Sequence, residues 1–135
     1  MLVGHNKEQH FYFFYGQGQN GKSTALDVAY EILGDALVWR TDAEIMRHQE
    51  QGNNTRKDLA EMVGKRLVII SEGERGDTVA EGFLKRATGE KSITGERKYG
   101  KPFTVPVTFT MCAMTQHLPR IVGQDKGIWR RIPRL

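Results

Sequence analysis

A single cysteine, Cys112, occurs in the 135 residues. One thiol excludes an intrachain disulfide framework and any zinc site built from several cysteines, and it fits a reducing, cytoplasmic compartment. Long hydrophobic runs are missing as well. No stretch approaches the roughly 18 apolar residues that span a bilayer, so no membrane segment is expected. The opening MLVGHNKEQHFYFF has no cationic region ahead of an apolar run, so no secretory signal is visible. No internal repeat or low-complexity linker interrupts the sequence, which reads as one domain over 1–135. Strong charge imbalance is absent too. The net charge of +4 permits a polyanionic partner without requiring one.

What is present is a series of short apolar runs separated by glycine and polar turns. Phe11 to Tyr15 is continuous and aromatic, the pattern of a strand buried on both faces. It stops at Gly16-Gln17-Gly18-Gln19-Asn20-Gly21, too glycine-rich for the interior of a helix or strand. From Lys22 the apolar positions Ala25, Val28, Ala29 and Ile32 recur at helical spacing, with Gly34 as the stop. Leu37 to Trp39 predicts a second strand. Residues 42–63 predict two helical pieces broken near Gly52-Asn53-Asn54, the second ended by Gly64. Leu67 to Ile70 is the clearest buried strand. A helix over about 79–87, a hairpin from Ile93 to Val105 turning at Tyr99-Gly100, and a strand from Val107 to Ala113 complete the pattern. Strands alternating with helices imply an α/β fold with a parallel sheet flanked by helices, the hairpin being inserted before the last strand.

Residues 16–23 match G-x-x-x-x-G-K-[ST] in full, with a predicted strand before and a helix after. Glycines let several N–H groups turn into one concavity, and the helix N-terminus adds partial positive charge. Gly16, Gln17, Gly18, Gln19, Asn20, Gly21, Lys22, Ser23 and Thr24 are therefore the expected nucleotide-phosphate site. Lys22 would reach the β- and γ-phosphates, and the Ser23 hydroxyl would ligate Mg²⁺. The pattern supports a nucleoside triphosphate without choosing its base.

The strand Leu67 to Ile70 runs into Ser71-Glu72-Gly73-Glu74. An NTP-hydrolysing enzyme of this type needs an acid at the tip of the strand beside the loop, to hold the magnesium shell or orient the attacking water. Glu72 is nearest the strand end. Glu74 stands one side-chain period further on the same side if the chain stays extended, so both remain candidates.

Gly18 to Thr24, read as Gly-Gln-Asn-Gly-Lys-Ser-Thr, resembles the loop of the superfamily 3 helicases, and more narrowly the helicase domain of phage and plasmid primase–helicases. Three further blocks agree in order and spacing. Leu59-Ala60 through Gly64 to Val68 and Ser71-Glu72 is similar to that family's Walker B region. Phe83-Leu84-Lys85 to Thr88-Gly89, Ile93 to Arg97 and Tyr99 to Phe103 resemble its B′ motif and hairpin. Thr115 to Ile121 and Gly127 to Arg131 resemble motif C and the arginine-finger segment. The resemblance covers roughly residues 10–132.

The resemblance implies a P-loop NTPase of the AAA+ kind that hydrolyses ATP with Mg²⁺ at subunit interfaces. It implies a DNA helicase motor for phage or plasmid replication, in the host cytoplasm where the gene is phage-borne. The 1–135 stretch would be a core or fragment of a larger primase–helicase, assembling as a hexameric ring in the full-length protein. Gln116, where the family usually has Asn, would sense the γ-phosphate. Arg130 or Arg131 would reach a neighbour's site. Arg97, Lys98, Tyr99 and Lys101 at the hairpin turn would grip single-stranded DNA, with cations on the backbone and an aromatic for stacking. Two other readings remain open: an ATPase that remodels DNA-bound proteins, and a nucleotide-gated DNA-binding or assembly module without unwinding activity.

Overall fold

The structure, a computed structural model, describes residues 6–46, 55–71, 78–96, 101–121 and 126–133. In chain order the elements are β1 (Phe11–Tyr15), α1 (Lys22–Leu37), β2 (Val38–Thr41), a 3-10 turn (Ala43–Met46), α2 (Thr55–Glu61), β3 (Leu67–Ile70), β4 (Thr78–Val79), α3 (Glu81–Gly89), β5 (Ser92–Glu96), β6 (Pro102–Pro106), β7 (Thr110–Thr115), β8 (Arg120–Ile121) and α4 (Lys126–Trp129). Four strands form a fully parallel sheet in the order β1-β7-β3-β2. The β5–β6 pair is antiparallel, and β4–β8 is a short parallel pair.

The apolar runs split by period 2 onto the two faces of this sheet. Leu67 and Ile69 of β3, Cys112 of β7 and Val38 of β2 pack under Leu26 of α1, with Tyr12, Phe14, Ala29, Tyr30 and Leu33 at the margin. Val68, Ile70, Met111, Ala113 and Phe11 face the other way. There they join Leu59 of α2, Met62 just after it, Phe83, Leu84 and Ala87 of α3, and Ile93 and Val105 of the β5–β6 pair. Both layers are thus covered, which is why β3 and β7 read as continuous apolar runs.

Several expectations shift. β1 is an edge strand among the described residues, pairing with β7 alone and only partly buried beyond Phe11. The buried face of α1 is Leu26 with Ala29, Tyr30 and Leu33, whereas Val28 and Ile32 are exposed at 53% and 75%. Gly34 breaks the helical path at φ 71°, but the helical run resumes to Leu37. The strand expected from Val107 begins at Thr110, because Thr108 turns its hydroxyl to the Lys65 carbonyl at 3.0 Å before pairing starts. Of the two helical pieces expected over 42–63, the described parts are the 3-10 turn and α2; residues 47–54 lie outside the described residues, as does the hairpin turn at 97–100. Among the described residues no helix is long and apolar enough to cross a membrane.

Cys112 is fully buried in β7, and burial pushes its thiol from 9.0 up to about 12. The raised folded value means the unfolded thiol ionises first. This contribution to stability is full below pH 9 and is lost as the pH rises through 9 towards 12. The native thiol should resist alkylation at pH 8, with labelling appearing only as denaturant unfolds the chain. Rapid labelling of folded protein would contradict the burial.

Candidate functional site

Parallel strands send all their carboxyl ends to one rim, where α/β sheets place ligands. Here that rim carries Tyr15, Thr115, Ile70 and Thr41, aligned by the register Tyr15↔Thr115, Ile70↔Ala113 and Thr41↔Ile70. The glycine-rich loop leaves the rim after Tyr15 and enters α1 at Lys22.

The loop's backbone explains its composition. Gly21 caps α1 at φ 79° and ψ 6°, a left-handed conformation that glycine adopts without Cβ strain. At Gly16 a Cβ would fall 1.8 Å from the Asn20 side-chain nitrogen. The amide of Gly16 donates to the Thr115 carbonyl at 3.2 Å, fastening the loop to the end of β7. Lys22 folds back inside the loop, its Nζ donating to the Gly16 carbonyl and, at 2.9 Å, to Asn20 Oδ1. No side chain caps α1, so its first-turn N–H groups stand beside a lysine held only by neutral oxygens. An anion arriving there would meet several amide donors and a cation that exchanges weak partners for a strong one. Ser23 and Thr24 are exposed on the same turn.

The strand beside the loop's own strand is β7, and β3 is next but one. The end of β3, Ile70, therefore lies about two strand spacings, roughly 10 Å, from β1 rather than beside it. Glu72 and Glu74 themselves fall outside the described residues. Ser71, the last described residue before them, is anchored to the Thr41 carbonyl by its N–H at 2.9 Å and its hydroxyl at 3.2 Å. The adjacent position on the rim belongs to Gln116, exposed immediately after β7. The Thr115 hydroxyl donates to the His117 carbonyl and accepts from the His117 N–H at 3.2 Å, which fixes the turn after β7.

Arg130 and Arg131 sit at the opposite end of β1. The Arg131 carbonyl accepts from the Phe11 N–H at 2.7 Å, and the five residues of β1 put about 13 Å between that point and the loop. The two arginines differ. The Arg131 guanidinium is folded onto its own backbone, donating to the Gly127 carbonyl, and its Nη2 lies 2.5 Å from where a Gly89 Cβ would stand. Arg130 is exposed, with a 3.3 Å hydrogen bond to Gln9 Oε1. Of the hairpin residues, Lys101 is exposed at the start of β6, while Arg97, Lys98 and Tyr99 lie outside the described residues.

One feature was not legible in the sequence. A cleft of about 820 Å³ opens beside the loop, sharing Asn20, Gly21 and Lys22 with it and walled by Tyr15, Leu118 and Trp129 among others. Nothing in the spacing of these three residues links them; only the return of α4 to the edge of β1 does. Among the described residues no three His, Cys, Asp or Glu side chains gather as a metal cluster.

Residues 14–131 match DUF5906, a family of unknown function. A protein of Acanthamoeba polyphaga mimivirus with the provisional name helicase L207/L206 is 31% identical over 132 residues, 97% of this chain and 14% of that protein. A protein of Frog virus 3 (isolate Goorha), provisionally named helicase 022R, is 25% identical over 135 residues, again 97% of this chain and 14% of its own length. The chain thus spans about one seventh of the curated relatives it matches. Among solved structures, the apo C-terminal region of NrS-1 (305–718) superposes with a TM-score of 0.58 over 82% of this chain and 26% of its own, at 14% identity. A second apo form of that region gives 0.59 over 87% of this chain and 26% of its own, also at 14% identity. At such identity the likeness establishes the fold, a mixed α/β domain on a parallel sheet.

Proposed function

The chain belongs to the DUF5906 family, and we propose that it is the ATP-hydrolysing motor portion of a longer, replication-associated DNA helicase. The observation that carries this reading is the strand–loop–helix unit in which Lys22 Nζ is folded onto Gly16 O and Asn20 Oδ1 beside an uncapped helix N-terminus. The helicase names of the two viral relatives support it from outside the chain.

In this reading the fold is a P-loop core of the AAA+, superfamily 3 kind. Residues Gly16 to Thr24 hold the triphosphate, with amides on the bridging oxygens and Lys22 on the β- and γ-phosphates. Ser23 would offer its hydroxyl oxygen to Mg²⁺, and Glu72 or Glu74 would complete the shell or hold the attacking water. Magnesium keeps several waters and takes few protein oxygens, so the exposed Ser23 and one acid are a sufficient donor set. When bound, the metal would supply neutralisation of the phosphate charge. Gln116, on the rim beside the loop, contacts the γ-phosphate or the water.

Arg130 is the better candidate to act in a neighbouring subunit, because it is exposed and hydrogen-bonded to Gln9, ahead of β1, whereas the Arg131 side chain already donates to Gly127 and lies against Gly89. The β5–β6 hairpin, with Arg97, Lys98, Tyr99 and Lys101, grips single-stranded DNA. Ring assembly, hexameric in the longer protein, brings Arg130 to the next site.

The test is turnover. In a longer chain able to assemble, Glu72→Gln should lower Mg-ATP hydrolysis by at least about a hundredfold while ATP binding persists, since the charge that orients the water is lost and the phosphate contacts are kept. Greater damage from Glu74→Gln would transfer the role to Glu74. Unimpaired hydrolysis in both variants would remove both acids from the site, and a wild type without Mg-ATP turnover would remove the motor assignment.

A further inference from the structure

Tyr15, Leu118 and Trp129 are exposed at 54%, 61% and 47%, three of the six most exposed large hydrophobic residues among those described. All three wall the one cleft beside the loop. Large apolar side chains left open to water around a shared concavity mark a contact surface. The cleft's volume of about 820 Å³ lies in the usual range for small-molecule sites, about 300–1,000 Å³. Its floor is continuous with the phosphate loop through Asn20, Gly21 and Lys22. A nucleotide whose phosphates occupy the loop would have its base directed into this space, or else into bulk water.

We propose that the cleft is the base subsite of the bound nucleotide and that Trp129 is the residue on which the base stacks, with Leu118 closing the opposite side. This rests on the reading of the loop as a triphosphate site. An indole at the mouth of a cleft offers an aromatic face to any base, and such stacking is tolerant of base identity. Apart from Asn20 and Lys22 at the phosphate end, the lining side chains are apolar or aromatic. Among the described residues no carboxylate, and no amide other than Asn20, lines the cleft, so the site discriminates bases chiefly by shape and stacking area, and such pockets discriminate weakly. Trp129 thereby sets nucleotide affinity from the same chain segment whose next residue, Arg130, is hydrogen-bonded to Gln9.

The experiment titrates the 135-residue chain with Mg-ATP, Mg-GTP, Mg-CTP and magnesium tripolyphosphate by calorimetry. The same titrations follow for Trp129→Ala, Trp129→Phe and Leu118→Ala, with folding checked by thermal melts. ATP should bind wild type about tenfold to a hundredfold more tightly than tripolyphosphate. Trp129→Ala should abolish most of that advantage and leave tripolyphosphate binding unchanged, and Trp129→Phe should restore it. The three nucleotides should agree within about tenfold. If Trp129→Ala does not fold, a reduced ATP advantage in Leu118→Ala carries the test. An ATP advantage that survives Trp129→Ala or, where that variant does not fold, Leu118→Ala, moves the base elsewhere, assigns the cleft to a protein contact and overturns the proposal while the loop reading stands. A preference beyond a hundredfold for one base also overturns it. Wild type that binds neither ATP nor tripolyphosphate refutes the loop reading itself.

Discussion

Lys22→Ala will weaken Mg-ATP binding by about tenfold to a hundredfold. The lysine ammonium donates to two neutral oxygens, Gly16 O and Asn20 Oδ1. In the nucleotide complex it would donate instead to phosphate oxygens, and a hydrogen bond between charged partners contributes about 1.5–3 kcal/mol. Removing it costs that difference and leaves phosphate charge opposite a methyl group. The fold should be unaffected, since Lys22 is a partly exposed residue of the first turn of α1 and the core of that helix is centred on Leu26. Calorimetry on wild type and variant, with melting curves alongside, separates lost binding from lost structure. Equal affinities would detach the loop from nucleotide binding.

Phe11→Ala should be the most damaging single truncation for stability. Phe11 is fully buried, packs 4.8 Å from the Phe13 ring centroid, and stands in register with Met111. Its N–H also donates to the Arg131 carbonyl at 2.7 Å, so the segment after α4 is fastened where this side chain is anchored. Truncating a buried phenylalanine costs about 3–5 kcal/mol, a large share of the roughly 5–15 kcal/mol that holds a small domain together. Urea denaturation should show the midpoint falling with little change in slope. A loss below about 1 kcal/mol would mean that the β1 edge is not packed as described.

These two residues show what could be read in advance. The loop was legible because its constraints are local. Gly21 must be left-handed, Gly16 must lack a Cβ, and a lysine must open the helix, so composition and spacing report the geometry. β3 was legible because four consecutive apolar residues admit little else. The face of α1 was not. Ala25, Val28, Ala29 and Ile32 share their period with Leu26, Ala29, Tyr30 and Leu33, and periodicity cannot choose between two stripes offset by about one residue. The sheet chose, since Leu67, Ile69 and Cys112 meet Leu26. The start of β7 was missed for a similar reason: Val107 and Phe109 are buried without belonging to the strand. The aromatic run of β1 suggested a strand buried on both faces, and Phe11 and Phe13 join one core layer while Tyr12 and Phe14 join the other, yet the strand is an edge among the described residues, with the residues after α4 rather than another described strand bonded to Phe11. The apolar cleft arises only from that contact, so no sequence signal could have joined Tyr15, Leu118 and Trp129.

The most direct test of the central claim is an amide-resolved NMR titration of the 135-residue chain with the slowly hydrolysed analogue AMP-PNP and Mg²⁺. Saturable shifts concentrated at the amides of Gly16 to Thr24, largest at Gly18, Gly21, Lys22 and Ser23 and needing about tenfold to a hundredfold more nucleotide in Lys22→Ala, are the predicted result. Loop amides that stay in place while nucleotide binds elsewhere, or that stay in place at every concentration of nucleotide, would contradict it.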